Sequence, residues 1–395
     1  METNNKLWTK DFIMATFTAF FAAVVFYTTV TTFAGYALAT YEVNESVAGF
    51  VAGVFILGSA FGRLYAGRFV ELVGRRKMML IGGLLFFTIG LGYIATPPLA
   101  VFFVIRFFHG ASFGIFHTSI MTIVTGVIPA NRRGEGLGIF SLGFVLSVAV
   151  GPAGGLLIIN LFSYDILMIY CSIIALMALL FSIFLHVEVP NFTEEEKANL
   201  RGIHSIGDLF EKKALPMASM IIILSMCYLS ITSFLETYTT ELGLDNTVSM
   251  FFILNAIVIV VVRPLAGKLL DRKGDNFAMY PSLVFFSICL FVLSFADTSI
   301  DLMIVSVLMA CGYGNALIMG QVIAINSSPT HRVGTATSTY FVFCDFGQGV
   351  GPLIYGLIAT QQGFRTMYFV AGIVSIICIF IYFMLHGRKA SRKKT

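Results

Sequence analysis

Gly67-Arg68-Phe69-Val70-Glu71-Leu72-Val73-Gly74-Arg75-Arg76-Lys77 joins two apolar runs, and Gly267-Lys268-Leu269-Leu270-Asp271-Arg272-Lys273-Gly274 does the same at an offset of 200 residues. The match widens at that one offset in both directions. Arg63 falls on Arg263, Ala66-Gly67 on Ala266-Gly267, Glu71 on Asp271, and Gly74 on Gly274. Further on, Gly114 falls on Gly314, Pro129 on Pro329, Arg132 on Arg332, Gly134 on Gly334, and Gly151-Pro152 on Gly351-Pro352. So many identities in one ungapped register indicate a duplicated unit.

The composition says where that unit lives. Of 395 residues, 57% are apolar and 12% charged, with a mean hydropathy of +0.89, 40 Phe and 37 Gly. A soluble domain carries about 25% charge. The chain is too apolar to be disordered and too poor in charge to wet a globular surface of this size. It reads as an integral membrane protein. The net charge of +4 is no nucleic-acid signal, because the basic residues sit in short loops and a tail. The cysteines (Cys171, Cys227, Cys289, Cys311, Cys344, Cys378) lie in apolar stretches without pairing or ligand spacing and read as small buried hydrophobes. The first apolar run, from Phe12 past Tyr27, exceeds a signal-peptide core, so no cleavable leader is expected.

A spanning helix needs about 20 mostly apolar residues. Broken at charges and turn residues, the chain gives twelve such runs, at about 12–35, 47–67, 78–96, 99–126, 136–159, 166–186, 217–240, 248–270, 277–296, 301–325, 335–360 and 366–385. Twelve spans place both termini on one side. That side carries Lys6, Lys10, Arg68, Arg75, Arg76, Lys77, Arg132, Arg133, Lys197, Arg201, Lys212, Lys213, Lys268, Arg272, Lys273, Arg332 and the tail Arg388, Lys389, Arg392, Lys393 and Lys394. The other side shows only Arg365, with Glu42, Glu45, Asp165, Glu241, Asp245 and Asp297. The positive-inside rule makes the basic side cytoplasmic. The expected organisation is a six-helix bundle over 1–186, a charged cytoplasmic linker over 187–215 (Glu194, Glu195, Glu196, Lys197), a second six-helix bundle over 216–386 and a basic tail over 387–395. The fold class is all-α integral membrane. The two bundles run in the same direction, which makes them parallel repeats that can rock about a site between them.

The Gly67–Lys77 loop, with its echo at Gly267–Gly274, resembles the signature between spans two and three of the major facilitator superfamily, Gly-x-Leu-x-Asp-Arg-x-Gly-Arg-Arg/Lys. Glu71 stands for the usual Asp, Phe69 for Leu and Leu72 for the first Arg. The resemblance covers essentially the whole chain and implies a twelve-span secondary transporter of the drug:proton antiporter-like branch. In that family the loop is a conformational gate, which assigns gating to Gly67, Glu71, Gly74, Arg75, Arg76 and Asp271. From the residues themselves, Gly67 permits close helix approach and Gly74 a tight turn. An acid beside Arg75, Arg76 and Lys77 can latch two helices.

Arg106-Phe107-Phe108-His109-Gly110 resembles the family's fourth-span motif Arg-x-x-Gln-Gly, with His109 for Gln, and that Arg is implicated in proton coupling. A charge this deep in a span faces a partner or a cavity. His109 and His117 add titratable groups to the same helix. Asp345 falls near the middle of span eleven among small residues, where burial and a moving cation can load and unload a proton. Glu236, in span seven, is a second candidate acid. Gly143, Ser147 and Gly151-Pro152-Ala153-Gly154-Gly155 resemble the superfamily's antiporter motif, Ser147 replacing its leading Gly. Small residues there and at Gly347, Gly351 and Pro352 make flat packing faces.

Tyr27, Thr31, Phe113, His117, Tyr228, Asn255, Asn315 and Gln321 are candidate cavity residues. A few polar groups among aromatics suit amphipathic or cationic cargo. There is no Gly-x-x-x-x-Gly-Lys-Ser/Thr loop and no clustered nucleophile or metal-ligand pattern, so neither enzyme chemistry nor a cofactor is expected. The expected function is proton-coupled export of small hydrophobic or amphipathic molecules by a monomer in a bacterial cell membrane. The partners are the substrate, protons and the bilayer, without nucleic acid. Proton-coupled uptake of a metabolite, or ligand sensing without transport, are the alternatives.

Overall fold

The structure, a computed structural model, describes residues 6–187, 193, 205–244 and 247–392. The acidic linker stretch Glu194–Lys197, together with Arg201, Asp245, Lys393 and Lys394, lies outside the described residues, as does the side chain of Glu45.

Among the described residues the chain is helical and has no strand. Its long elements are α1 (Lys10–Tyr41), α2 (Glu45–Val73), α3 (Arg75–Gly90), α4 (Leu99–Val127), α5 (Arg133–Leu161), α6 (Tyr164–Ile183), α7 (Leu215–Glu241), α8 (Thr247–Lys273), α9 (Asp275–Ser294), α10 (Ser299–Cys311), α11 (Tyr313–Ser327) and α12 (Val333–Tyr382). Starts are set by side-chain caps. Thr9 accepts from Phe12 N at 3.2 Å, Asn44 from Val47 N at 2.9 Å, and Thr298 forms a capping box with Asp301. Two turns are single glycines with φ values closed to most side chains: Gly74 (φ 100) between α2 and α3, and Gly274 (φ 87) between α8 and α9.

Nine segments among the described residues are long and apolar enough to cross a membrane. The 16-residue α3 is too short to be one of them. The last segment, Thr330–Ala390, runs through two sequence-predicted spans and is broken by Gly363 (φ 82, ψ 165). The tenth predicted span is not one rod. It splits at Gly312 into α10 and α11.

By packing, the chain forms two compact units. The first is Met1–Pro129, Phe140–Glu211 and Pro329–Ser338; the second is Ala130–Ile139, Lys212–Ser328 and Thr339–Thr395. Each therefore differs from a sequence half by the exchange of one short segment for another.

Inside the first unit, α2 meets α4 along four glycines. A Cβ would lie 2.0 Å from Phe107 O at Gly58, 2.0 Å from Ala111 O at Gly62, 2.0 Å from Phe55 O at Gly110 and 2.2 Å from Ser59 O at Gly114. Backbone touches backbone, which is how helices associate when lipid gives no hydrophobic drive. The α1–α5 contact uses Gly151, whose Cβ would sit 3.0 Å from Val24 O, and Thr28 Oγ1 donates to Gly151 O at 2.9 Å. Pro152 lies within this helix. In the second unit the matching faces are Gly347 against Ile222 O (2.3 Å to a Cβ) and Gly351 against Met226 O (2.5 Å), with Pro352 inside α12. Many buried hydroxyls return their protons to the carbonyl one turn back, as Thr122 does to Thr118 O and Ser282 to Ala278 O.

Candidate functional site

In the first unit the deepest charge is Arg106, on α4 and 0% exposed. Its Nε donates to Val51 O at 3.1 Å. The guanidinium lies 4.6 Å from the Phe55 ring centroid and 5.1 Å from that of Phe33. Tyr93 is the polar side chain beside its guanidinium, and no described carboxylate pairs with it. The buried ion pair that the sequence allows is therefore absent. Cation–π contact is worth up to about 2 kcal/mol when desolvated, less than the several kcal/mol that taking one ion out of water costs.

One turn along α4, His109 stacks on Phe86 (4.5 Å, 16°), and its Nδ1 lies 3.2 Å from Tyr93 Oη. Two turns further, His117 Nδ1 is 2.8 Å from Arg63 Nη1. A guanidinium can only donate, so Nδ1 accepts and His117 is neutral in this arrangement. Phe113, buried between them, stacks on Phe26 at 5.0 Å. Tyr27 is partly exposed beside Phe26, and Thr31 is exposed.

At the end of α2, Glu71 and Arg75 are both buried and form a two-pronged ion pair, Nε to Oε2 at 2.8 Å and Nη2 to Oε1 at 2.7 Å. Gly74 turns the chain between them, and Arg76 Nη2 donates to Ile183 O at 3.1 Å. Gly67 O accepts from Thr335 Oγ1 at 2.8 Å, and a Cβ on Gly67 would meet Ser338 Cβ at 2.3 Å. In the second unit, Asp271 has a different job. Its two carboxylate oxygens accept from Gly134 N (2.8 Å) and Glu135 N (2.9 Å), capping the start of α5. The duplicated acids thus hold a side chain in one copy and a backbone terminus in the other.

Further along the second unit, the α10–α11 break organises a polar cluster. Tyr313, the first residue after the break, stacks on Tyr228 at 3.9 Å and 9°. Its hydroxyl lies 3.1 Å from Ser225 Oγ and accepts from Gln348 Nε2 at 3.4 Å; Gln348 also reaches Cys344 Sγ at 3.3 Å. Asn315 N bonds Gly312 O at 3.2 Å, and its side-chain Nδ2 takes over Cys311 O at 3.0 Å. Asn315 therefore mends the break. Asn255 is occupied by Ser306 O at 2.9 Å, and Gln321 is fully buried with neither side-chain atom partnered.

The two candidate acids are less buried than their span positions suggest. Asp345 is half-exposed, next to Cys344, and Glu236 is exposed on α7. Sequence reasoning missed Ser225, Tyr313 and Gln348. The one available signal was Gly312-Tyr313-Gly314, a pair of glycines in mid-span.

The Major Facilitator Superfamily family model matches residues 15–352 and 281–395. The chain belongs to this superfamily. As a major facilitator it is a membrane transporter built from apolar helices. Among curated relatives it is similar to the staphylopine export protein of Staphylococcus aureus, 24% identical over 349 residues that cover 86% of this chain and 87% of the relative. It is also similar to the multidrug resistance protein MdtG of Escherichia coli, 25% identical over 355 residues, with 86% and 85% covered. Two solved structures share the fold. The human organic anion transporter MFSD10 has a TM-score of 0.73 at 15% identity, covering 94% of this chain and 98% of that one. The Escherichia coli fucose:proton symporter FucP has 0.72 at 14%, covering 95% and 98%.

Proposed function

We propose that this facilitator exports small hydrophobic or amphipathic molecules across a cell membrane in exchange for protons, working as a monomer with both termini in the cytoplasm. The observation that carries export is the near full-length similarity to relatives named for export and for multidrug resistance. Cargo of this class is supported by the Tyr228–Tyr313 stack, which offers a planar apolar face beside the hydrogen-bonding Gln348 and Ser225.

In this reading Asp345 carries the proton. It is accessible enough to exchange one, and it neighbours the cluster at Cys344. Arg106 modulates that step, and Glu236 is the second acid. Glu71 with Arg75 and Arg76, aided by Gly67, Gly74 and Asp271, forms the cytoplasmic gate. The candidate substrate-contacting residues are Tyr27, Thr31, Phe113 and His117 in the first unit and Tyr228, Asn255, Asn315 and Gln321 in the second.

The test is flux in sealed vesicles with an imposed pH gradient. Cargo moving against the proton flow is the expected result. Cargo that moves with the protons, or a rate indifferent to the gradient, would overturn the exchange mechanism.

A further inference from the structure

Helices α5 and α12 begin alike in sequence and are held differently. The start of α5 is held by two acids. Asp271 accepts from Gly134 N and Glu135 N, and Glu135 pairs with Arg132 (2.8 Å) and Lys268 (3.4 Å). At the matching start of α12, 200 residues on, the equivalent positions do neither. Glu71 gives both its oxygens to Arg75, and Glu135 is replaced by Thr335, whose hydroxyl donates to Gly67 O. Arg332, the twin of Arg132, is nevertheless kept.

Its acid comes from the linker. Glu211 is 5% exposed, and its Oε2 lies 2.5 Å from Arg332 Nε. Arg332 Nη2 also donates to Phe210 O at 3.0 Å. Just before these residues the linker makes a short 3₁₀ turn, Ile206–Leu209, tied by Ser205 N to Asp208 Oδ2 at 3.0 Å. Asp208 O accepts at 3.4 Å from Nη1 of Arg68, a buried side chain near the end of α2. Arg68 and Arg332 are near enough to repel, and Asp208 attracts Arg68. Two cations from different parts of the fold are thus matched by two acids on one stretch of linker. Removing one partner from a pair largely out of water leaves an uncompensated charge.

We propose that residues 205–211 are a strap that fastens the start of α12 to the end of α2 within the first unit, with Glu211 as the positioning residue that stands in for the acid missing at 335. The linker is then a working part of the gate rather than a tether, which rests on the gate reading given above. The strapped segment Pro329–Ser338 packs with the first unit, while α12 continues from Thr339 in the second. The strap therefore sets how firmly the first turns of α12 keep to α2.

The experiment is amide hydrogen exchange on the purified full chain at one pH, comparing residues 333–340 with their twins 133–140. Glu211→Gln keeps size and removes the charge. It should speed exchange at 333–340 by roughly 5–30-fold and leave 133–140 at the wild-type rate. Arg332→Gln should do the same. Swapping the charges, Glu211→Arg with Arg332→Glu, should restore most of the protection, which a loss of packing alone would not allow. Wild-type rates at 333–340 in Glu211→Gln would overturn the strap. Equal acceleration in both stretches would overturn it as well, since that is general loosening. A swapped pair that regains nothing would overturn the ion pair as the fastening. The readout needs no cargo and no gradient, so a vesicle result against proton antiport leaves the strap standing, and failure of the strap leaves antiport untouched.

Discussion

Arg106 and Ser306 occupy equivalent places in the duplicated chain and hold equivalent carbonyls. Arg106 Nε donates to Val51 O at 3.1 Å, and Ser306 Oγ donates to Phe251 O at 2.7 Å. Val51 and Phe251 are themselves separated by the same 200 residues. Each copy thus fastens its fourth-helix equivalent to its second at one peptide group. The first does so with a long cation laid over Phe55, the second with a short hydroxyl while Asn255 returns a bond to Ser306 O.

That equivalence predicts an order among variants. Arg106→Ser can keep the bond to Val51 O, and Arg106→Ala cannot. The Ser variant should be the more stable by about 1 kcal/mol, read from denaturant unfolding. Equal stabilities would show that the carbonyl is not held through this position.

The repeated acids should also differ in cost. Glu71→Ala leaves Arg75 buried without its partner, a loss of about 3–5 kcal/mol. Asp271→Asn keeps one oxygen for one of the two backbone donors and should cost about 0.5–2 kcal/mol, the range of a helix cap. Thermal melting of the two variants checks the ranking, and a costlier Asp271→Asn would reverse the roles assigned above.

At the α2–α4 seam, Gly110→Ala forces a methyl to within 2.0 Å of Phe55 O. Destabilisation by about 1–3 kcal/mol or more is expected. Gly53, on the same α2, has nothing within 4 Å of its would-be Cβ, so Gly53→Ala should be neutral or slightly stabilising. A pair of melting curves decides it.

Asn315→Leu removes the donor that satisfies Cys311 O at the α10–α11 break. A fully buried carbonyl left unsatisfied costs about 1–3 kcal/mol, and this part-buried one should cost toward the lower end. Amide exchange in α11 should speed up in this variant; unchanged protection would mean that the break does not depend on the side chain.

For transport, Asp345→Asn keeps size and half of the hydrogen bonding while removing the ionisable proton. Gradient-driven accumulation should fall to the level of empty vesicles, with the melting temperature close to wild type. Accumulation that persists would remove Asp345 from the coupling step.

Much of this architecture was legible before any coordinates. Run length and polarity place the helices, and the offset of 200 residues exposes the duplication, because both are properties of sequence spacing. Environment was not legible. Asp345 sits in mid-span and was expected to be hidden, yet depth along a helix says nothing of which face the residue occupies. That no described carboxylate pairs with Arg106 could not be read either, since run length and polarity do not say which acids fold against it. Gly312 resembles the packing glycines at Gly58 or Gly110 in every local respect; only its neighbours make it a break.

The four-glycine seam has a consequence for motion. Where backbone meets backbone at these four glycines, there are no rotamers to reshuffle and little interdigitation that could slip by a notch. The pair must travel as one plank. Spectroscopic labels placed on its two helices should keep a constant separation throughout the working cycle, so whatever bends in the first unit has to bend elsewhere.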